Sequence, residues 1–293
     1  MKRAVALGFF DGVHIGHGEL FKTVKRASEE NALTPCVLTY AQHPSEVLSS
    51  SGVSLINTVD ERILLISGLY GINDIVIKDF TEKYASLSCE DFFENIIIGE
   101  LDCGFVVAGF DFRFGHLGRG DAELLKKLCR DRNIGCEIVD EVMLGDVSVS
   151  SSHIRTLILD GKPDTAAKLL GHNHFITGKV LHGQAIGKKL GFATANQKIS
   201  ENIVTPKPGV YATRVTVDNM TYKAITNVGT RPTVTDDKTV FAESHIFDFS
   251  DDIYGKMMKT EFISFLREEK KFSSHEELCE QISQDILRAR LEN

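Results

Sequence analysis

This 293-residue chain has no Cys-x-x-Cys pair, no Cys/His cluster at zinc spacing, no apolar run long enough to cross a bilayer and no excess of basic charge. Each absence excludes something. The cysteines, Cys36, Cys89, Cys103, Cys129, Cys136 and Cys279, stand far apart, so the expectation is buried thiols in a reducing compartment, with neither a disulfide framework nor a structural zinc. Lys plus Arg is 33 against 41 for Asp plus Glu, a net charge of −8, which argues against nucleic-acid partners and anionic membranes. The first apolar run ends at Asp11, short for the hydrophobic region of a signal peptide, so the expected location is cytoplasmic, with no membrane partner. Asn219-Met220-Thr221 fits a glycosylation sequon, but without secretion it reads as a turn between two strands. Internal repeats and low-complexity segments are also missing. What is there is 42% hydrophobic and 25% charged residues, the composition of an ordinary folded protein long enough for two domains.

Through residue 140 the apolar pattern alternates between two periods. Short strand candidates lie at Ala4–Leu7, Cys36–Tyr40, Ile75–Ile77, Phe105–Ala108 and Cys136–Val139, with helical periodicity around Arg62–Leu69, Asp91–Ile98 and Ala122–Cys129. Ser88 and Asp121 stand where N-caps belong. The expectation is an α/β fold, a doubly wound parallel sheet whose ligands bind beyond the carboxyl ends of its strands. Two short helices follow, one over 152–159 stopped by Gly161, the other opened by Pro163 and closed by Gly171. The reading places a domain boundary there, 1–171 and 172–293. Beyond it, strand-like runs at Phe175–Leu181, Val210–Val217, Tyr222–Val228, Phe241–Phe249 and Met258–Phe265 predict a small antiparallel β-barrel. Ser274 with Glu277 predicts a capping box opening a terminal helix whose apolar face is Leu278, Ile282, Ile286 and Ala289.

The most informative segment is Gly8-Phe9-Phe10-Asp11-Gly12-Val13-His14-Ile15-Gly16-His17, set where a strand should give way to a helix. Glycines let the main chain approach a ligand, a helix N-terminus offers N–H groups and partial positive charge, and two imidazoles add donors for polyphosphate oxygens. The plain alternative is a turn with two surface histidines. The order Phe-Asp-Gly-Val-His-Ile-Gly-His resembles the signature of the HIGH-type nucleotidyltransferases. Three other segments lie at expected strand ends or helix starts: Tyr40-Ala41-Gln42-His43-Pro44, Gly109-Phe110-Asp111-Phe112-Arg113-Phe114-Gly115 and Ser150-Ser151-Ser152-His153-Ile154-Arg155. Together they resemble the prokaryotic bifunctional riboflavin kinase/FMN adenylyltransferase family over essentially the whole chain. The resemblance implies an N-terminal domain that transfers AMP from ATP to FMN, giving FAD and pyrophosphate. It implies that Gly8, Phe9, Asp11, Gly12, Gly16 and Ser152 bind ATP, with His14, His17 and Arg155 acting on its phosphates and Mg2+ completing the neutralisation. His43, Pro44, Asp111 and Arg113 fall in the flavin-shaping motifs, with Gln42 replacing a family proline.

A second glycine-rich stretch runs from Gly183 through Gly187, Lys188 and Gly191 to Thr194-Ala195-Asn196. Backbone N–H groups and basic side chains there suit phosphates, and the Thr194 and Asn196 oxygens suit Mg2+; read alone, the stretch is equally a mobile surface loop. Val228-Gly229-Thr230-Arg231-Pro232-Thr233, Ala242-Glu243-Ser244-His245 and Phe265-Leu266-Arg267 then match the family's riboflavin kinase domain in order. By that resemblance Gly183, Gly187, Lys188 and Gly191 bind ATP, Thr194 and Asn196 hold Mg2+, Glu243 is the catalytic base and Arg267 contacts flavin. Ala193 stands for the family's proline, Lys188 for its arginine, and His172-Asn173 for Arg-Pro. Two alternatives stay open: an adenylyltransferase whose barrel has degenerated, and a non-catalytic flavin-binding regulator. The implied state is a monomer or weak homo-oligomer with riboflavin, FMN, FAD and ATP as its small-molecule partners.

Overall fold

The computed structural model describes residues 2–48, 52–182, 192–230 and 239–292, and its contacts divide the chain into two compact units, Met1–Ser151 and Ser152–Asn293. In the first unit the strands are β1 (Arg3–Leu7), β2 (Thr34–Tyr40), β3 (Asp74–Lys78), β4 (Cys103–Gly109) and β5 (Gly135–Val139), joined in the order β3-β2-β1-β4-β5. Every pairing is parallel. β1 is central, and Ala4, Val5, Ala6 and Leu7 are buried on both faces, which is why the sequence there is a continuous apolar run rather than an alternating one. The chain winds outward from β1 through β2 to β3, then returns to the other side of β1 as β4. The switch point therefore lies beyond the carboxyl ends of β1 and β4, where the loops after Leu7 and Gly109 emerge.

The connecting elements are α1 (Ile15–Glu30), α2 (Pro44–Leu48), α3 (Val59–Tyr70), α4 (Glu82–Ala85), α5 (Cys89–Asp91) and α6 (Ala122–Asp131). Ser88 and Asp121 do cap, accepting the N–H groups of Asp91 and Leu124, each at 2.9 Å. The helix expected over Asp91–Ile98 differs in kind: α5 runs on as a π-helix, Phe92–Glu100. Phe92, Phe93, Ile96 and Ile97 are all buried, and the wider turn sets these four large side chains into one core cluster. A small hairpin, β6 (Met143–Leu144) with β7 (Val147–Ser148), was not legible beforehand.

The contacts put the divide after Ser151, whereas the sequence pattern puts it after Gly171. The difference is the helices α7 (Ser151–Leu159) and α8 (Pro163–Leu170). The Lys207 N–H donates to the Ile158 carbonyl at 3.3 Å, and α8 lies against a strand of the second sheet, so both helices count with the C-terminal unit.

That unit is a six-stranded antiparallel sheet of β8 (Phe175–Lys179), β9 (Ala195–Lys198), β10 (Gly209–Val217), β11 (Met220–Thr230), β12 (Val240–Ile246) and β13 (Met257–Arg267), ordered β8-β13-β10-β11-β12-β9. The edges come together: Leu181 bridges Asn196, and the Gln197 amide on β9 donates to the Gly178 and Met258 carbonyls while accepting from Thr260 Oγ1 at 2.6 Å. One buried amide thus nearly closes the barrel. Inside lie Ile176, Ile199, Tyr211, Val228, Ala242 and Phe262, beside a buried hydroxyl chain of Thr213, Thr226 and Ser244 at 2.7 and 2.8 Å. Asp218 and Asn219 have φ of 50° and 64° at the β10–β11 turn, so the sequon is a tight hairpin turn as expected. Outside, α9 (His275–Glu292) packs Ala289, Ile282 and Ile286 on Val210, Ala212 and Ile225. The Ser274 hydroxyl caps Glu277 N–H at 3.1 Å, but the Glu277 carboxylate reaches Ser273 rather than the Ser274 backbone, so the expected capping box is half made. All six cysteines are free thiols.

Candidate functional site

The loop between β1 and α1 is bent against its own preferences. Phe10, Gly12 and Val13 have φ of 61°, 82° and 44°, and for a β-branched valine that region is strongly disfavoured. What holds it is a set of polar anchors. The Asp11 carboxylate, buried, accepts the N–H groups of Ile56 at 2.9 and 3.1 Å and of Asn57 at 3.3 Å, and the Asp11 carbonyl accepts the Ser151 hydroxyl at 2.8 Å. Asp11 therefore anchors the loop against the backbone of Ile56 and Asn57. The Phe10 ring folds back over Gly8, where a Cβ would stand 2.7 Å from it, so this position admits only glycine without displacing the ring.

The twist delivers His14 to the N-cap of α1. Its Nδ1 accepts the His17 N–H at 3.2 Å, which leaves the proton of a neutral ring on Nε2. The His14 and His17 rings stack at 3.5 Å with 17° between planes, and Gly16 fits beside them because a Cβ there would already press on His14 at 3.1 Å. His17 Nδ1 is buried and has no hydrogen-bond partner among the described residues. Burial, then the neighbouring His14 and Arg62, holds the His17 pKa well below the usual 6.5, so at neutral pH its ring is uncharged and acts by hydrogen bonding.

Two other sequence-flagged segments of the first unit follow the carboxyl ends of β2 and β4, the strands on either side of β1. His43 follows β2; its Nδ1 accepts the Ser45 N–H at 3.2 Å and pairs with the Ser45 hydroxyl at 2.6 Å, its ring meets Phe9 edge-on at 4.7 Å, and Pro44 starts α2. Asp111 and Arg113 follow β4 and are both exposed, Arg113 lying 3.9 Å from Asp121. Ser152 and Arg155 lie in the first turn and a half of α7, within the second compact unit. The sequence reading overlooked Arg62. It is fully buried on α3, donating to the Phe9 carbonyl at 2.5 Å, Thr39 Oγ1 at 3.0 Å and the Tyr40 carbonyl at 2.9 Å. Nothing local marks an arginine on an amphipathic helix as buried, so no sequence signal would have found it.

In the second unit, register does the assembling. Glu243 on β12 pairs with Asn196 on β9 and, on its other side, with Asn227 on β11. Directly opposed residues in antiparallel strands share a face, so the carboxylate stands between two amides. Alternation puts it on the side away from the barrel interior, since Ala242 and Ser244 are buried and Glu243 is half-buried. The Asn196 amide donates to the Thr194 carbonyl at 3.4 Å, and His245 Nδ1 bonds the Ala193 carbonyl at 2.9 Å, tying the segment before β9 to β12. Arg267 is drawn elsewhere: its guanidinium forks onto the buried Asp285 of α9 at 2.8–3.1 Å. Gly183, Gly187, Lys188 and Gly191, with Arg231, Pro232 and Thr233, lie outside the described residues.

Thr194 and Asn196 carry side-chain oxygens of the kind a hard dication takes, and Thr194 lies two residues before Asn196 in the segment leading into β9. No group of three or more His, Cys, Asp or Glu side chains fit to hold a metal occurs among the described residues.

Comparison with known proteins covers both halves. A riboflavin kinase family model matches residues 170–292 and an FAD synthetase model residues 1–153. Bifunctional riboflavin kinase/FMN adenylyltransferases from Bacillus subtilis and Escherichia coli K12 are 37% and 30% identical, over 97% and 98% of this chain and 90% and 91% of theirs. A crystal structure described as a macrolide-efflux protein from Streptococcus pneumoniae superposes with a TM-score of 0.90 at 32% identity, covering 99% of this chain and 94% of that one. No helix of the present chain, among the described residues, is long and apolar enough to cross a membrane. With a switch-point histidine loop in one unit, a strand glutamate between two asparagines in the other, and matches spanning both, this chain belongs to the bifunctional riboflavin kinase/FMN adenylyltransferase family.

Proposed function

We propose that this chain is a transferase that phosphorylates riboflavin with ATP to FMN and then adenylylates FMN with a second ATP to FAD and pyrophosphate. The observation that supports the kinase half is the Asn196–Glu243 register, which sets a carboxylate opposite an amide in a chain related to such enzymes along nearly its whole length. Glu243 accepts the proton of the riboflavin 5′-hydroxyl as that oxygen attacks the γ-phosphorus. Thr194 and Asn196 would hold Mg2+, which when bound neutralises charge on the transferred phosphoryl group. In the other half no protein nucleophile is needed. The imidazoles of His14 and His17, the latter uncharged, and the N-terminus of α1 hold the α-phosphorus in line with the FMN phosphate and meet charge growing on the leaving pyrophosphate. The fit of the paired rings, with one buried nitrogen lacking a partner, supports an acceptor brought in by substrate. Asp111 and Arg113 border the flavin on this reading, whereas Arg267 acts through its fork to Asp285. The reading keeps the boundary at 171/172 and the cytoplasm as its setting.

The test is a chromatographic time course of riboflavin with ATP and Mg2+. FMN should appear first and FAD after it. FAD from supplied FMN but no FMN from riboflavin would reduce the chain to an adenylyltransferase; neither product would end the proposal.

A further inference from the structure

Among the described residues Arg62 is the largest fully buried side chain, and none of their carboxylates lies within ion-pair distance of it. A buried guanidinium whose hydrogen bonds go to carbonyls and a hydroxyl, with the Asp11 charge acting on it from outside bonding distance, is costly, and such an arrangement persists where something repays it. Its contacts show where. Phe9 and Tyr40 are the residues at or just past the carboxyl ends of the adjacent strands β1 and β2, and Arg62 donates to both of their carbonyls. Thr39 Oγ1 doubles the clasp, accepting from Arg62 and donating to the same Phe9 carbonyl at 2.8 Å. The guanidinium also lies 4.2 Å from the centre of the Phe9 ring, whose edge contact carries the order on to His43. One side chain thus spaces the histidine loop and the His43 loop, while its charge sits behind the bend that precedes His14.

Resting on the adenylyl-transfer reading, we propose that Arg62 is a positioning residue of that site. It locks the Phe9 and Tyr40 loops at working separation, and its fixed positive charge adds to the potential that attracts the nucleotide's polyphosphate. In the low dielectric behind the loop that charge is felt by the phosphates without any contact with them. Burial lowers the pKa of Arg62 to about 10, with Asp11 working the other way, so the group stays cationic at neutral pH.

The experiment compares wild type, Arg62→Lys, Arg62→Met and Thr39→Val in the full chain with Mg2+, following FAD formation from FMN as ATP is varied and riboflavin phosphorylation in the same preparations. Arg62→Met should lower kcat/KM for ATP at least 30-fold, mostly through KM. Arg62→Lys should recover at least a third of that loss on a logarithmic scale, because it keeps the charge and loses only the fork. Riboflavin phosphorylation should stay within two-fold of wild type in every variant. Thr39→Val, which removes one strand of the clasp while conserving shape, should raise KM for ATP three- to ten-fold, and it decides the matter if Arg62→Met folds poorly. An unchanged KM in Arg62→Met or Thr39→Val overturns the proposal. Equal impairment of the Lys and Met variants overturns the role of the charge. A wild-type enzyme that makes no FAD from FMN sinks the functional reading instead, a result recognisable before any variant is made.

Discussion

Glu243 and His17 are both half-buried and lie in different units, and the proposed function gives them different work. On the proposed reading the Glu243 carboxylate, set between Asn196 and Asn227 by register, is the base of the kinase step. Replacing it in Glu243→Gln keeps the shape and removes that capacity, so FMN formation should fall about 100-fold or more, the usual weight of general base catalysis, with conversion of supplied FMN unaffected. His17→Ala should do the reverse, since its ring stacks on the N-cap of α1. If one substitution depressed both reactions in a folded variant, the division of labour would be wrong. His174 makes a different prediction. It is 1% exposed, both ring nitrogens lack partners among the described residues, and it stacks on Phe262 at 5.7 Å. Burial, with a smaller push from His172, lowers its pKa from 6.5 to about 3. The folded chain therefore resists its protonation. The stabilisation is complete above pH 6.5 and drains as pH falls toward 3, at roughly 1.4 kcal/mol per pH unit inside that window. Denaturant midpoints taken from pH 7 to pH 5 should fall less in His174→Leu than in wild type; parallel curves would refute this.

Among the elements, those with strong local signals were readable in advance and those defined by their neighbours were not. β1 was legible as an uninterrupted apolar run, α6 as a helix because Asp121 caps it, and the β10–β11 turn because Asp218-Asn219 tolerates positive φ. β9 was not: Ala195–Lys198 is a strand only because β12 lies beside it, and its sequence reads equally as the end of a glycine-rich loop. The π-helix Phe92–Glu100 was legible as a helix but not as a wide one, since the longer i→i+5 hydrogen-bond loop answers to the packing of Phe92, Phe93, Ile96 and Ile97. The loop after β4 depends on a close approach of this kind. Gly115 has φ of 73°, and a Cβ there would lie 2.6 Å from Cys89 Sγ and 2.9 Å from its backbone. Gly115→Ala combines a strained conformation with a clash against main chain that cannot rotate aside. It should destabilise the first unit by about 2 kcal/mol or more, seen as a lower midpoint for that unit's unfolding, and should weaken FAD formation while sparing FMN formation. An unchanged midpoint would mean the loop yields freely.

At the scale of the whole chain, two chemistries that share ATP and a flavin are carried by units with separate cores, one around the parallel sheet and one inside the barrel. If each unit performs its reaction independently, an equimolar mixture of Glu243→Gln and His17→Ala chains should convert riboflavin to FAD, FMN passing through solution between them. Failure of the mixture, with each variant retaining its own reaction, would show that FMN does not leave the chain that makes it. The sequence by itself determined the fold class, the histidine loop, the Thr194/Asn196 and Glu243 blocks and the family, because these rest on local periodicity and on the order of short motifs along one chain. Tertiary structure decided the rest. Asp11 became an anchor, Arg267 a partner of Asp285, Arg62 a buried cation and Glu243 the neighbour of Asn196, because burial and cross-strand register are set by what lies opposite in space, and residues 47 positions apart carry no mark of one another until the strands pair.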